Sequence, residues 1–211
     1  MINHGLTPQE IFFYRFLIAY LGIWVISPKR LFTNNWQDEL WLVAGGIFGG
    51  SLYFFTENTA LGITQASNVS FIICTAPLLT TILSLLFYKS EKASKGLIYG
   101  SLLALMGVGL IVFNGSFVLK ISPIGDLLTL LAALSWAFYS LIIKKMAGRY
   151  PTIFITRKIF FYGVLTILPA FLLHPLHPDT VVLLQPAVLF NLLFLAVLAS
   201  LILSLIHISE P

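Results

Sequence analysis

Long apolar blocks, separated by short polar or proline-rich gaps, set the pattern of this chain. Seven such blocks fall at residues 11–26, 39–63, 66–88, 96–113, 124–146, 152–173 and 186–206. At 1.5 Å per residue, a helix of roughly 20 residues crosses a hydrocarbon core about 30 Å thick, so each block predicts a membrane span or most of one. An outer-membrane barrel would instead alternate polar and apolar residues over short segments. The expected fold is therefore an all-α membrane protein, a helical bundle of about seven transmembrane helices, each satisfying its own backbone.

The gaps carry the punctuation such helices need. Thr7-Pro8-Gln9-Glu10 reads as a capping box with proline at the first helical position, and Ser27-Pro28 stops the helix it starts. Ser122-Pro123 opens the fifth block by the same device, with Asp126 well placed against the helix dipole. Asn114-Gly115 reads as a left-handed stop after the fourth block. The gap between the second and third blocks is only a few residues, which predicts an antiparallel hairpin. Pro77 is expected to free a backbone carbonyl inside the third block. Gly45, Gly46, Gly49 and Gly50 form overlapping small-xxx-small pairs, and Gly96, Gly100, Ala104 and Gly107 form a second small-residue stripe. Such stripes let another helix approach closely.

Composition excludes a soluble domain: 58% of the residues are hydrophobic, 9% are charged, 18 are Phe, and the mean hydropathy is +0.96. The net charge of +4 sits in the gaps and not on a basic face, so no nucleic-acid partner is expected. When the gaps are assigned to alternate sides, one side carries ten basic residues: Lys29, Arg30, Lys89, Lys92, Lys95, Lys144, Lys145, Arg149, Arg157 and Lys158. The other carries Lys120 alone, and Arg15 lies inside the first block. That bias makes the first side the cytoplasm and places the Met1 end outside. A lone cysteine, Cys74, rules out an internal disulfide framework and argues against a metal cluster. The first ten residues hold no Lys or Arg, so no cleavable signal peptide is expected.

Against this apolar background, Thr56-Glu57-Asn58-Thr59-Ala60-Leu61-Gly62 is the polar outlier. A carboxylate near the end of an apolar helix costs free energy unless it pairs, protonates or faces water. Glu57 follows Gly46, Gly50 and Tyr53 at helical spacing, which turns it toward protein; simple solvation in the interfacial zone is the plainer alternative. Arg15 either snorkels to the interface or meets a partner, and its depth matches that of Glu57, so an Arg15–Glu57 ion pair is geometrically possible. Asn58 and Asn68 are candidates to bind substrate or to bridge helices. Trp136 and Tyr139 are candidates to line a cavity or simply to pack.

Enzymatic chemistry finds little support. Gly49-Gly50-Ser51-Leu52 imitates the opening of an intramembrane serine-protease motif, but Leu52 stands where glycine belongs, and before residue 203 no His lies inside a block to act as base. Prolines interleaved around His174 and His177 argue against a metal site there. No glycine loop with lysine cradles a phosphate, so ATP use is not expected either, and no cofactor is implied. Transport would run on a gradient or by exchange, with Glu57 the carboxylate placed to carry a proton.

The two halves of the chain are alike. Residues 8–15 align with 151–158 at a constant offset of 143, matching Pro8 with Pro151 and Arg15 with Lys158. The first copy begins outside and the second in the cytoplasm, the layout of many secondary transporters. This pattern joins Glu57-Asn58-Thr59-Ala60-Leu61 through Pro77-Leu78-Leu79, and the run from Gly125-Asp126-Leu127 to Ser135-Trp136-Ala137-Phe138-Tyr139. Together they resemble the EamA-type family of the drug/metabolite transporter superfamily, over nearly the whole chain to about residue 200. The resemblance implies inverted five-helix repeats around a central cavity, and export or exchange of small metabolites or drugs by alternating access. It implies a first repeat lacking its first helix at 1–115 and an incomplete second repeat at 116–211. Leu203-Ser204-Leu205-Ile206-His207-Ile208-Ser209-Glu210-Pro211 resembles a translated sequencing adapter, so residues 203–211 are expected to be artefactual and the chain a fragment. On this resemblance the setting is the bacterial inner membrane, the partners are a small-molecule substrate and the lipid bilayer, and a homodimer is an admissible assembly. A non-transporting membrane scaffold or a nonfunctional fragment is the alternative, which saturable solute flux would separate.

Overall fold

The computed structural model describes residues 6–28, 32–33, 35–88, 95–113, 122–173, 176 and 180–202. No strand occurs among them. The helices are α1 (Pro8–Ile26), α2 (Trp36–Gly46), α3 (Leu52–Ile63), α4 (Ala66–Ile73), α5 (Ala76–Phe87), α6 (Lys95–Phe113), α7 (Pro123–Ala147), α8 (Thr152–Ile167), α9 (Ala170–Leu173), α10 (Thr180–Leu183) and α11 (Pro186–Leu193). Two π-helical segments, Ile47–Ser51 and Phe194–Ile202, follow α2 and α11. Each apolar block of the sequence is mostly helical over its described part. Among the described residues, four helical stretches are long and apolar enough to cross a membrane: Gln9–Ile26, Ala66–Phe87, Pro123–Ala147 and Thr152–Leu172.

Local chemistry accounts for the helix starts. The Thr7 hydroxyl accepts from the Glu10 amide at 3.3 Å while the Glu10 carboxylate accepts from the Thr7 amide at 2.8 Å, closing the predicted capping box. Asn35 caps α2 by accepting from the Gln37 amide at 3.1 Å. Asp126 accepts from the Ser122 amide at 3.1 Å in the first turn of α7. The third block breaks at Cys74-Thr75, and Pro77 falls in the opening turn of α5, where its missing N–H costs least. There the Thr75 hydroxyl donates to the Ile72 carbonyl at 2.6 Å. The expected stop at Asn114-Gly115, His174, His177, the 89–94 gap and residues 203–211 lie outside the described residues.

The helices gather into two compact units, Met1–Ser51 with Ile142–Pro211, and Leu52–Leu141. These units follow packing, whereas the repeats expected at 1–115 and 116–211 follow sequence likeness, so one division does not test the other. In the first unit α8 packs on α1 and on α2. A Cβ at Gly46 would stand 2.5 Å from Tyr162 Cβ and 3.0 Å from the Gly163 amide nitrogen, and one at Gly50 would stand 3.2 Å from Gly163 Cα. The first glycine stripe is thus a backbone-to-backbone helix contact. Its register, Gly46 beside Gly163 and Ser51 beside Thr166, makes α2 and α8 parallel. Phe16 meets Phe160 edge-on at 4.9 Å, and Phe13 meets Phe171 at 5.6 Å, joining α1 to α8 and α9.

In the second unit α3 and α4 form the short hairpin, and α6 packs on α4. The stripe expected on α6 fares differently. Nothing lies within 4 Å of a Cβ built at Gly100 or Gly107, while one at Gly109 would stand 3.1 Å from the Phe71 ring. Two residues turn an α-helix by about 200°, so the face that meets α4 is nearly opposite Gly107.

Candidate functional site

Within the second unit, α3 and α7 assemble a polar and aromatic cluster. The Tyr53 hydroxyl donates to Glu57 Oε1 at 3.1 Å, one helical turn along α3. The Tyr53 ring lies 5.1 Å from the Trp136 ring on α7, and Trp136 lies 5.2 Å from Tyr139. Tyr53 is buried, Glu57 and Tyr139 are half-buried, and Trp136 is 39% exposed. One carboxylate, a phenol donor and three contiguous rings thus converge. Such a set can hold a small solute by shape and by a single charged hydrogen-bonding group.

The structure therefore brings Glu57, Trp136 and Tyr139 together, with Tyr53 as the link. The buried face of α3 is Tyr53, Thr56 and Ala60, and Glu57 borders that face. The π-helical segment Ile47–Ser51 holds more residues per turn than an α-helix, so the line from Gly46 and Gly50 to Glu57 does not run straight. Asn58 is half-buried on α3 and Asn68 is buried on α4. Arg15 belongs to the first unit, where its Nε donates to Ser200 Oγ at 2.6 Å. Glu57 belongs to the second unit, and the Arg15–Glu57 pair stands as an expectation of the sequence.

A second cluster lies in the first unit, and sequence reasoning missed it. Lys158 on α8 is fully buried and paired with Glu39 on α2, whose Oε1 also accepts from the Tyr162 hydroxyl. Glu39 Oε2 accepts from the Thr33 amide at 2.9 Å and from the Thr33 hydroxyl at 2.6 Å. The Lys158 ammonium also lies 4.4 Å from the centre of the Phe32 ring. Its neighbour Arg157, only 1% exposed, donates to the Ser27 carbonyl at the end of α1. Buried Asp38 accepts from Arg149 at 2.6 Å and from the Tyr150 hydroxyl at 2.8 Å. Desolvation first, and the bond to Asp38 second, push the Tyr150 phenol above its ordinary value.

Arg157 and Lys158, counted among the basic residues of the cytoplasmic side, sit inside α8, within the sixth block, and both are buried. Without them that side still carries eight basic residues, six in the gaps and Lys144 and Lys145 in the last turn of α7, against Lys120. Two signals pointed to Lys158. It aligns with Arg15 at the repeat offset, and it precedes Tyr162 by one helical turn. Ser51, the serine of the protease look-alike, pairs its hydroxyl with Thr166 at 3.0 Å and serves as a helix–helix tie.

Residues 1–113 match the EamA-like transporter family. The chain belongs to that family. An uncharacterized transporter of Archaeoglobus fulgidus is 28% identical over 200 residues, covering 92% of this chain and 67% of that protein. The uncharacterized transporter YdfC of Bacillus subtilis is 31% identical over 151 residues, covering 69% of this chain and 47% of its own length. A second uncharacterized transporter of A. fulgidus is 26% identical over 178 residues, covering 83% and 59%. A solved crystal structure shares the fold with a TM-score of 0.70 at 18% identity, covering 92% of this chain and 66% of the other. This EamA chain is thus similar over roughly half to two thirds of the length of these relatives. It is a multi-pass membrane protein of a transporter family.

Proposed function

We propose that this EamA protein is a secondary transporter of the bacterial inner membrane that exports or exchanges small metabolites or drugs by alternating access and catalyses no reaction. The observation that carries the reading is Glu57: a carboxylate in an apolar helix, held by the Tyr53 hydroxyl beside the Trp136 and Tyr139 rings. In this reading the rings hold the apolar part of the solute, and Glu57 binds its polar part or carries the coupling proton. Asn58 and Asn68 supply further polar contacts. The basic residues of the gaps support a Met1 end on the outside. A second copy of the protein is its proposed partner, tested by the mass of the particle in nanodiscs.

The test is flux by the full-length protein in vesicles, assayed in turn with radiolabelled amino acids and with ethidium. Saturable flux of at least one probe is expected. Glu57→Gln should lower it at least roughly tenfold, the scale of one lost hydrogen bond to a charged group. Flux that ignores the pH gradient and survives Glu57→Gln removes the coupling role. If the wild type moves none of the probes saturably, the transport reading fails for these solutes.

A further inference from the structure

We infer that Glu39, Lys158 and Tyr162 form a clasp that ties the start of α2 to α8 and opens during the transport cycle, which makes Glu39 and Lys158 positioning residues for that cycle. The inference rests on the alternating-access reading above. Its basis is that the parallel α2–α8 contact is built differently at its two ends. At the Gly46, Gly50 and Gly163 end the backbones touch, and the added polar tie is the Ser51–Thr166 hydroxyl pair. A smooth contact of small residues permits the slight sliding and tilting by which packed helices shear. At the other end, about two turns earlier, the contact is ionic.

Each member of the ionic end has a second set of partners. Glu39 accepts from the Thr33 amide and hydroxyl, and it sits in the first turn of α2, where the helix dipole favours an anion. Lys158 lies 3.5 Å from the Tyr162 hydroxyl, 4.4 Å from the Phe32 ring centre and 5.1 Å from that of Tyr162. Ring faces attract a desolvated ammonium. Neither charge is therefore stranded when the pair separates, and that condition lets a buried ion pair occupy two arrangements. A buried pair is in any case weak evidence for stability, because desolvation offsets its attraction. Arg157, bonded to the Ser27 carbonyl, links the end of α1 to the same turn of α8, so displacement of that turn carries α1 with it.

The test uses the full-length protein in liposomes, with Cys74→Ser and spin labels at Leu40 and Ile153, exposed positions on α2 and α8 near the clasp. A control pair at Ile47 and Leu165 reports the glycine end. Pulsed electron resonance is expected to show two separations for the first pair and one for the control. Glu39→Gln and Lys158→Met should each move the first pair to the longer separation. Lys158→Arg, which keeps charge and donors, should retain the shorter one. Thr33→Val should act in the opposite sense, because it removes a second partner of Glu39 and leaves it more dependent on Lys158. For whichever probe is transported, maximal flux of Lys158→Met should fall roughly tenfold with KM unchanged, the mark of a step after binding. A separation that none of these variants moves overturns the clasp, and so does loss of flux without such movement. If the separations shift as expected while the wild type moves no solute, the clasp stands and the transport reading is what fails.

Discussion

Gly46 shows how much a single residue decides. A methyl group there meets Tyr162 Cβ and the Gly163 backbone, which cannot rotate away. Gly46→Ala is therefore expected to cost about 1–3 kcal/mol, the usual range for overpacking a tight contact. Gly100→Ala meets nothing within 4 Å and should be neutral or stabilising by up to about 1 kcal/mol, the difference in helix propensity. Thermal unfolding of the two variants in detergent compares them directly. The buried pair invites a second comparison by the same measurement. Lys158→Met alone should cost about 3 kcal/mol, the low end for breaking a buried pair, because Thr33 still serves Glu39. Adding Glu39→Leu should recover most of that loss. Tyr150, outside the spans, gives a pH signature. Its phenol is held above the ordinary tyrosine value, so the protonated form is favoured in the fold. Its contribution is complete below the unfolded value and is lost as pH rises through the folded one. Tyrosinate absorbance should show a late-titrating component that Tyr150→Phe removes, and Asp38→Asn should bring that component earlier.

Helix ends were legible in the sequence because their causes are local. The Thr7–Glu10 box and the Ser122-Pro123 start each depend on a few adjacent residues, and each appears in the structure. The third block, expected as one span with a carbonyl freed at Pro77, is instead broken at Cys74-Thr75. Thr7→Ala should cost about 1 kcal/mol, the usual value of a lost N-cap, and should fray the first turn of α1 in amide exchange. Helix faces were only half legible. The Gly46–Gly50 stripe meets α8, but its partner Gly163 belonged to no stripe seen in the sequence. On α6 the face that packs holds Gly109, not Gly100 and Gly107. A small residue permits close approach without commanding it, so a stripe names a possible contact while the packing of neighbours selects the real one. The π-helical segment Ile47–Ser51 likewise breaks the projection from the glycines to Glu57, since a change of helical pitch leaves no plain mark in the residue pattern.

For the whole molecule, the proposed membrane orientation rests on the charge bias and can be tested alone. Ser122→Cys should react with an impermeant thiol reagent from outside intact cells, and Lys145→Cys only after permeabilisation; the reverse labelling inverts the topology. The sequence by itself determined that the chain is an all-α, multi-pass membrane protein, because long apolar blocks in a bilayer admit no other backbone solution here. It also carried the EamA resemblance, which the match over residues 1–113 bears out, and it singled out Glu57, Trp136 and Tyr139. Only the tertiary structure decided that these three meet through Tyr53. It alone buried Arg157 and Lys158 and set Lys158 against Glu39, 119 residues away. The reason is physical. Hydropathy and capping act along the chain and can be read in order, whereas the cost of a buried charge depends on which distant helix supplies its partner, and the fold makes that choice.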